Sequence, residues 1–297
     1  LSAYISKARE EWGVPGLAVA IVKDGKLALA RGYGARELGK ETAVDADTLF
    51  AIASNSKAFT SAAIATLVED GKLDWNDRVR KHLPWFQLYD RYVTEELRVF
   101  ELLCHRSGLG TFSGDLLWYG TGYSSEEVVR RARFLEPKGI FRSDFGYSNL
   151  MFIAAGEVLK AVSGKPWAEY VEERFFAPLG MKRTRATVRG LDRVENVATP
   201  HGESGGRLVT FPWVSWDSMG AAGGVISSVR DMSLWVRMQL GQGHWGGRQY
   251  FSRESSRKMW KPHILTGVSV SDRKRYPSTH FKAYALGWGV KDYLGRK

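Results

Sequence analysis

Residues Phe50 to Leu67 read FAIASNSKAFTSAAIATL. Nearly every residue is apolar or small, yet Lys57 stands among them, three residues after Ser54. Lysine is seldom fully buried unless it is paired. The pattern from Ser54 to Val68 is helical and closes at Glu69-Asp70-Gly71, a glycine-type C-terminal cap. Side chains three apart on a helix are neighbours, with Cβ atoms about 5–6 Å apart. A serine hydroxyl is a weak nucleophile until a base takes its proton. A lysine serves as that base only when its pKa is lowered, and burial lowers it by disfavouring the ammonium. An apolar setting for Lys57 is therefore what this chemistry requires. At the helix start, Ser54 also feels the positive end of the helix dipole. The competing reading is a capped helix whose lysine snorkels to water.

The Ser-x-x-Lys spacing occurs three times: Ser54…Lys57, Ser255…Lys258 and Ser271…Lys274. The last two lie in ESSRKMW and VSDRKRY, charged surroundings that predict solvated, protonated lysines. Context selects Ser54. A second element is Tyr147-Ser148-Asn149 in FGYSNLMFIAAG, the only Tyr-x-Asn in the chain. It precedes an apolar helix and so suits a loop facing a cleft. A tyrosine beside a lysine relays a proton, and an asparagine amide bonds both a lysine and a substrate carbonyl. The competing reading is a core tyrosine followed by a helix-capping Asn149.

The remaining chain frames this pair. Asp24-Gly25 between GLAVAIV (16–22) and LALARGYG (27–34) predicts a β-hairpin, and residues 1–12 a short helix. Helices are expected over 99–110, 124–135, 150–162 and 166–180. GAAGGVIS (220–227) reads as a glycine-rich strand or turn, and a capping box from Ser228 to Asp231 opens a helix to about Leu240. YALGWGVKDY (284–293) alternates like a strand. Strands cluster at both ends and helices fill the middle, which predicts an α+β fold: an antiparallel sheet flanked by helices, with a mostly helical region inserted. The expected division is a discontinuous sheet domain, 1–80 with 205–297, around a helical domain, 81–204.

With 297 residues and 44% hydrophobic composition, the chain is long enough for a substantial core. Net charge is +11, from 43 basic and 32 acidic residues spread without a run of five like charges. No nucleic-acid motif accompanies them, so a solvated basic surface is expected and nucleic-acid binding is not. No apolar run approaches the length of a membrane span. The single cysteine, Cys104, excludes an intrachain disulfide. Adjacent helical residues point about 100° apart, so Cys104 and His105 form no dyad, and Cys104 reads as a packing residue. The other five histidines (His82, His201, His244, His263, His280) lack ligand spacing; no metal or other cofactor is expected.

Ser-x-x-Lys followed by Tyr-x-Asn resembles the serine β-lactamase-like hydrolases: class C β-lactamases, family VIII-type esterases, DD-peptidases and D-aminopeptidases. VPGLAVAIVKDGK, TLFAIASNSKAFTS, ELLCHRSGLG, FGYSNLMFIAAGEVL, GAAGGVISSVRDM and ALGWG look like family blocks in the family's order. Tyr147 in place of the serine of Ser-Asp-Asn is similar to the class C and esterase branch. The resemblance implies a Ser54 acyl-enzyme, with Lys57 and Tyr147 moving the proton and Asn149 binding substrate. It implies a small-molecule or peptide substrate cleaved at an ester or amide bond. Alternatives are a β-lactamase proper or a non-catalytic, penicillin-binding-like sensor or scaffold. The family's third motif, Lys-Thr-Gly or His-x-Gly, is expected on a strand beyond Lys297. His244-Trp245-Gly246 lies too early and in a loop, and Lys23-Asp24-Gly25 is a hairpin turn. The start at Leu1 fits removal of a preceding segment, and a periplasmic or secreted setting is favoured over the cytoplasm. Oligomeric state is left open.

Overall fold

Asp24 and Gly25 both take positive φ, 50° and 70°, and close an antiparallel hairpin of β1 (Gly16–Lys23) and β2 (Lys26–Gly34). Such a turn matches the right-handed twist of the strands it joins. The computed structural model describes residues 1–296. Helix α1 (Ser2–Glu11) precedes the hairpin. β3 (Phe50–Ala51) pairs with β4 (Ile226–Ser227), joining segments far apart in sequence just ahead of the serine. β5 (Ile264–Leu265), β6 (Lys282–Tyr284) and β7 (Gly289–Lys291) form a three-stranded antiparallel sheet in the order β7-β6-β5. The fold is α+β, with helices between terminal strands, as the order of elements implied.

Several boundaries differ from expectation for identifiable reasons. Residues 284–293 are not one strand: the chain turns between β6 and β7, and Gly287 takes φ +76° there. A Cβ on Gly287 would stand 2.6 Å from Ser61 Oγ and 2.7 Å from the Lys57 carbonyl oxygen, so only glycine lets this turn seat on the lysine helix. The helix expected over 99–110 is a 3-10 turn, Val99–Leu103, ended by His105 at φ +60°. Residues 124–135 split into a Ser124-capped helix to Arg130 and a 3-10 turn to Phe134. Residues 166–180 pass from α-helix into a π-helical turn over Glu172–Phe176 before ending at Gly180. In 220–227 the first half is a helical turn, Gly220–Gly223, and only Ile226–Ser227 is strand.

Helix α2 (Ser56–Glu69) begins two residues later than its sequence pattern, because Ala53–Asn55 form a 3-10 turn with Ala53 at φ +45°. From Ser56 to Leu67 every residue is buried. Alanine, serine and threonine there let neighbouring elements approach closely, while Phe59, Ile64 and Leu67 fill the gaps. Each fully buried side chain of that size contributes about 1.5–3 kcal/mol. Helix α3 (Asn149–Ser163) packs on α2. Ser148 caps it by accepting from the Met151 N–H at 3.3 Å, so Asn149 is its first residue and not its cap. Helix α4 (Val229–Leu240) is capped by Ser228. The reciprocal half of the box does not form, since Asp231 Oδ2 accepts from Arg183 N, Thr184 N and Thr184 Oγ1. The main hydrophobic core is one cluster reaching from Ala58 to Leu286.

Candidate active site

Lys57 is fully buried, in the first turn of α2. Its Nζ donates to Asn149 Oδ1 at 2.8 Å and to the Ala222 carbonyl at 2.7 Å, and lies 3.0 Å from Ser54 Oγ. The amine sits 4.8 Å from the Tyr147 ring centroid and 5.2 Å from that of Phe152. Four elements meet here: the 3-10 turn bearing Ser54, α2, the loop leading into α3, and the turn Gly220–Gly223. The last is locked onto α2, where Thr60 Oγ1 donates to the Ala221 carbonyl at 2.6 Å and Val225 N–H donates to Ser56 Oγ at 3.0 Å. Ser54 is exposed, Tyr147 half-buried and Asn149 buried, so the hydroxyl faces solvent while the amine does not. The structure thus brings Ser54, Lys57, Tyr147 and Asn149 together.

Burial lowers the Lys57 pKa from 10.5 to about 7, and the Asp115 carboxylate opposes that fall. The drop corresponds to roughly 5 kcal/mol disfavouring the ammonium. All three hydrogen-bonding partners of the amine are neutral. Burial raises the Tyr147 phenol, while its approach to Ser54 acts the other way. The Tyr147 loop is fixed from both sides. Phe112 N–H donates to the Tyr147 carbonyl at 2.8 Å, and Ser148 N–H donates to His105 Nδ1 at 3.0 Å. The His105 ring stacks on Tyr147 with centroids 4.2 Å apart and contacts Tyr284 at 4.4 Å. Burial holds His105 neutral, with its pKa down to about 3.

Two residues the sequence reading passed over belong to this cluster, Asp115 and His105. A lone carboxylate in the loop TFSGDLLWYG carries no spacing signal, and in sequence His105 stands out only by its place next to Cys104. That thiol is buried and pushed up to about 12 by desolvation, which removes it as a nucleophile. Ser255 is buried and donates to Glu69, and Lys258 is half-buried over Phe100, not solvated as expected. Ser271 and Lys274 are exposed. His244-Trp245 is not in a loop but forms a small hairpin with Arg248-Gln249, its Trp245 ring under Arg237. Among the described residues, no three or more His, Cys, Asp or Glu gather where a metal would sit. No helix among them is long and apolar enough to cross a membrane.

Known proteins resemble this chain in sequence and in fold. Unguisins hydrolase ungD' of Aspergillus campestris is 29% identical over 98% of this chain and 54% of its own length. Protein flp of Staphylococcus aureus is 29% identical over 76% of this chain and 46% of its own. The chain thus spans about half the length of these curated relatives. The octameric penicillin-binding protein homologue from Pyrococcus abyssi superposes with a TM-score of 0.84 at 26% identity, covering 99% of this chain and 65% of that one. The D-amino acid amidase from Ochrobactrum anthropi, at 23% identity, bears on the fold alone: TM-score 0.78, with 98% of this chain and 79% of that one covered. A family model described as Beta-lactamase matches residues 1–296, and the chain belongs to that β-lactamase-fold family of hydrolases.

Proposed function

We propose that the protein is a serine hydrolase cleaving an ester or amide bond through an acyl-enzyme on Ser54. The observation that carries this reading is a fully buried amine with a pKa of about 7, held by neutral acceptors 3.0 Å from an exposed hydroxyl. In the proposed reaction Ser54 Oγ attacks the substrate carbonyl while its proton passes to Lys57, directly or by way of Tyr147. The Ser54 N–H supplies one oxyanion donor. The proton then goes to the leaving group as the tetrahedral intermediate collapses to the ester of Ser54. Water adds to that ester and gives a proton to the amine; as the second tetrahedral intermediate collapses, the amine passes that proton to the departing Ser54 Oγ, and the acid is released. Asn149 keeps Lys57 in place and offers its amide to the substrate. The name of one relative, Unguisins hydrolase, supports hydrolysis as the reaction class and leaves ester and amide both open.

Intact-mass measurement after treatment with a fluorophosphonate and with penicillin, followed by peptide mapping, tests the nucleophile. Label is expected on Ser54, and Ser54→Ala should lose it together with at least about 10⁴-fold of turnover. Label on another serine overturns the assignment. A single stoichiometric burst from p-nitrophenyl acetate, without steady release, would instead make the protein a sensor.

A further inference from the structure

Asn149 is useful to Lys57 only one way round. Its amide oxygen accepts from the amine; rotated, its NH₂ would confront it. The group on the other side of that amide is Asp115, in the 3-10 turn Asp115–Leu117. Asn149 Nδ2 donates to Asp115 Oδ2 at 3.0 Å and to Oδ1 at 3.3 Å. An ionised carboxylate only accepts, so it fixes the amide with its nitrogen outward and its oxygen toward Lys57. Asp115 is itself held, since Trp118 Nε1 donates to its Oδ1 at 3.1 Å and Tyr119 N–H to its carbonyl at 3.1 Å. Gly114 brings the turn close to α3: a Cβ there would lie 2.9 Å from Leu150 Cδ1.

We infer that Asp115 is a positioning residue for the proposed hydrolysis, orienting the Asn149 amide and setting a negative charge beside the Lys57 amine. The inference rests on the acyl-enzyme reading. The titratable groups around the amine are Asp115, Tyr147, His105 and Tyr284. His105 is held neutral by burial, and burial pushes both phenols up. Burial raises the Asp115 carboxyl, opposed by its hydrogen bonds from Trp118 and Asn149 and by the Lys57 charge; in its ionised form it acts to raise the lysine pKa.

The test measures the rate of fluorophosphonate labelling from pH 5 to 9, and the Lys57 titration by NMR of ¹³C-lysine-labelled protein, in three proteins: wild type, Asp115→Asn and Asp115→Ala. Asparagine keeps an acceptor but removes the charge. Its plateau rate should stay within about threefold, while its acid limb and the Lys57 titration move to lower pH. Alanine releases the amide, and its plateau should fall at least about tenfold, the size of one lost charge-assisted hydrogen bond. An unmoved limb and titration in the asparagine variant overturn the inference, as does an unchanged plateau in the alanine variant. If the alanine variant fails to fold, the asparagine variant still decides. Wild-type label away from Ser54 would sink the acyl-enzyme reading, while the lysine titration still reports whether Asp115 acts on Lys57.

Discussion

Lys57 and Glu101 are both fully buried ionisable side chains, and the protein treats them in opposite ways. Glu101 Oε1 accepts from Arg106 Nη2 at 2.7 Å and Arg142 Nε at 2.7 Å; its Oε2 accepts from Arg142 Nη2 at 3.1 Å and Arg98 N–H at 3.0 Å. Those donors hold its carboxyl below the ordinary range against the desolvation that would raise it. Lys57 receives two carbonyl oxygens and a hydroxyl, and no carboxylate touches its nitrogen. A saturated ion is fixed in its charge state and fastens loops together. An ion given only neutral partners is left near its neutral form, with a proton that moves easily. The proposed reaction draws on the second kind of buried group, while Glu101 is the first, a fastener.

Removing each charge should break the molecule differently. Lys57→Met is expected to cost at least about 10³-fold in turnover and to leave the melting temperature unchanged or higher, because an ammonium no longer has to be desolvated. A fall of more than about 5 °C would mean that the amine is a fastener after all. Glu101→Gln should do the reverse. Urea denaturation should show a loss of about 3 kcal/mol as two arginines lose their counter-ion, with the proposed turnover of the folded protein unchanged. The smallest effect is in pH. The lowered lysine value means that the unfolded chain holds its proton more tightly, so Lys57 adds stability as pH rises from about 7 to 10.5 and gives no slope below. Glu101 contributes above the ordinary carboxylate range and loses its contribution only as pH falls through its depressed value. Between pH 5 and 7, kcat/KM should therefore fall about tenfold per pH unit while these two groups leave the melting temperature flat. A melting temperature that tracks the activity loss would identify unfolding as its cause.

The hairpin at Asp24-Gly25, the lysine helix and the α+β order of elements were legible because each rests on short-range rules: turn φ values, helical spacing, and strands at both ends. Ser54, Lys57, Tyr147 and Asn149 could be singled out because one apolar Ser-x-x-Lys and one Tyr-x-Asn stand apart from their surroundings. What escaped was set at long range. Asp115 reaches Asn149 across 34 positions of chain, through a turn that nothing nearby in sequence distinguishes from a solvated loop. His105 adopts φ +60°, which no local preference predicts, and its ring lies against Tyr147 and Tyr284. The strand expected at 284–293 turns back between Tyr284 and Gly289, where Gly287 at φ +76° leaves no room for a side chain against the Lys57 carbonyl.

One contact to the amine is written in the main chain. The Ala222 oxygen belongs to a peptide group, so no exchange of side chain at position 222 deletes it. Asn149 and Ser54 are open to replacement one codon at a time, but this grip loosens only if the Gly220–Gly223 turn itself shifts. A lineage of this protein that swaps its side chains for a new substrate would still inherit a tethered lysine.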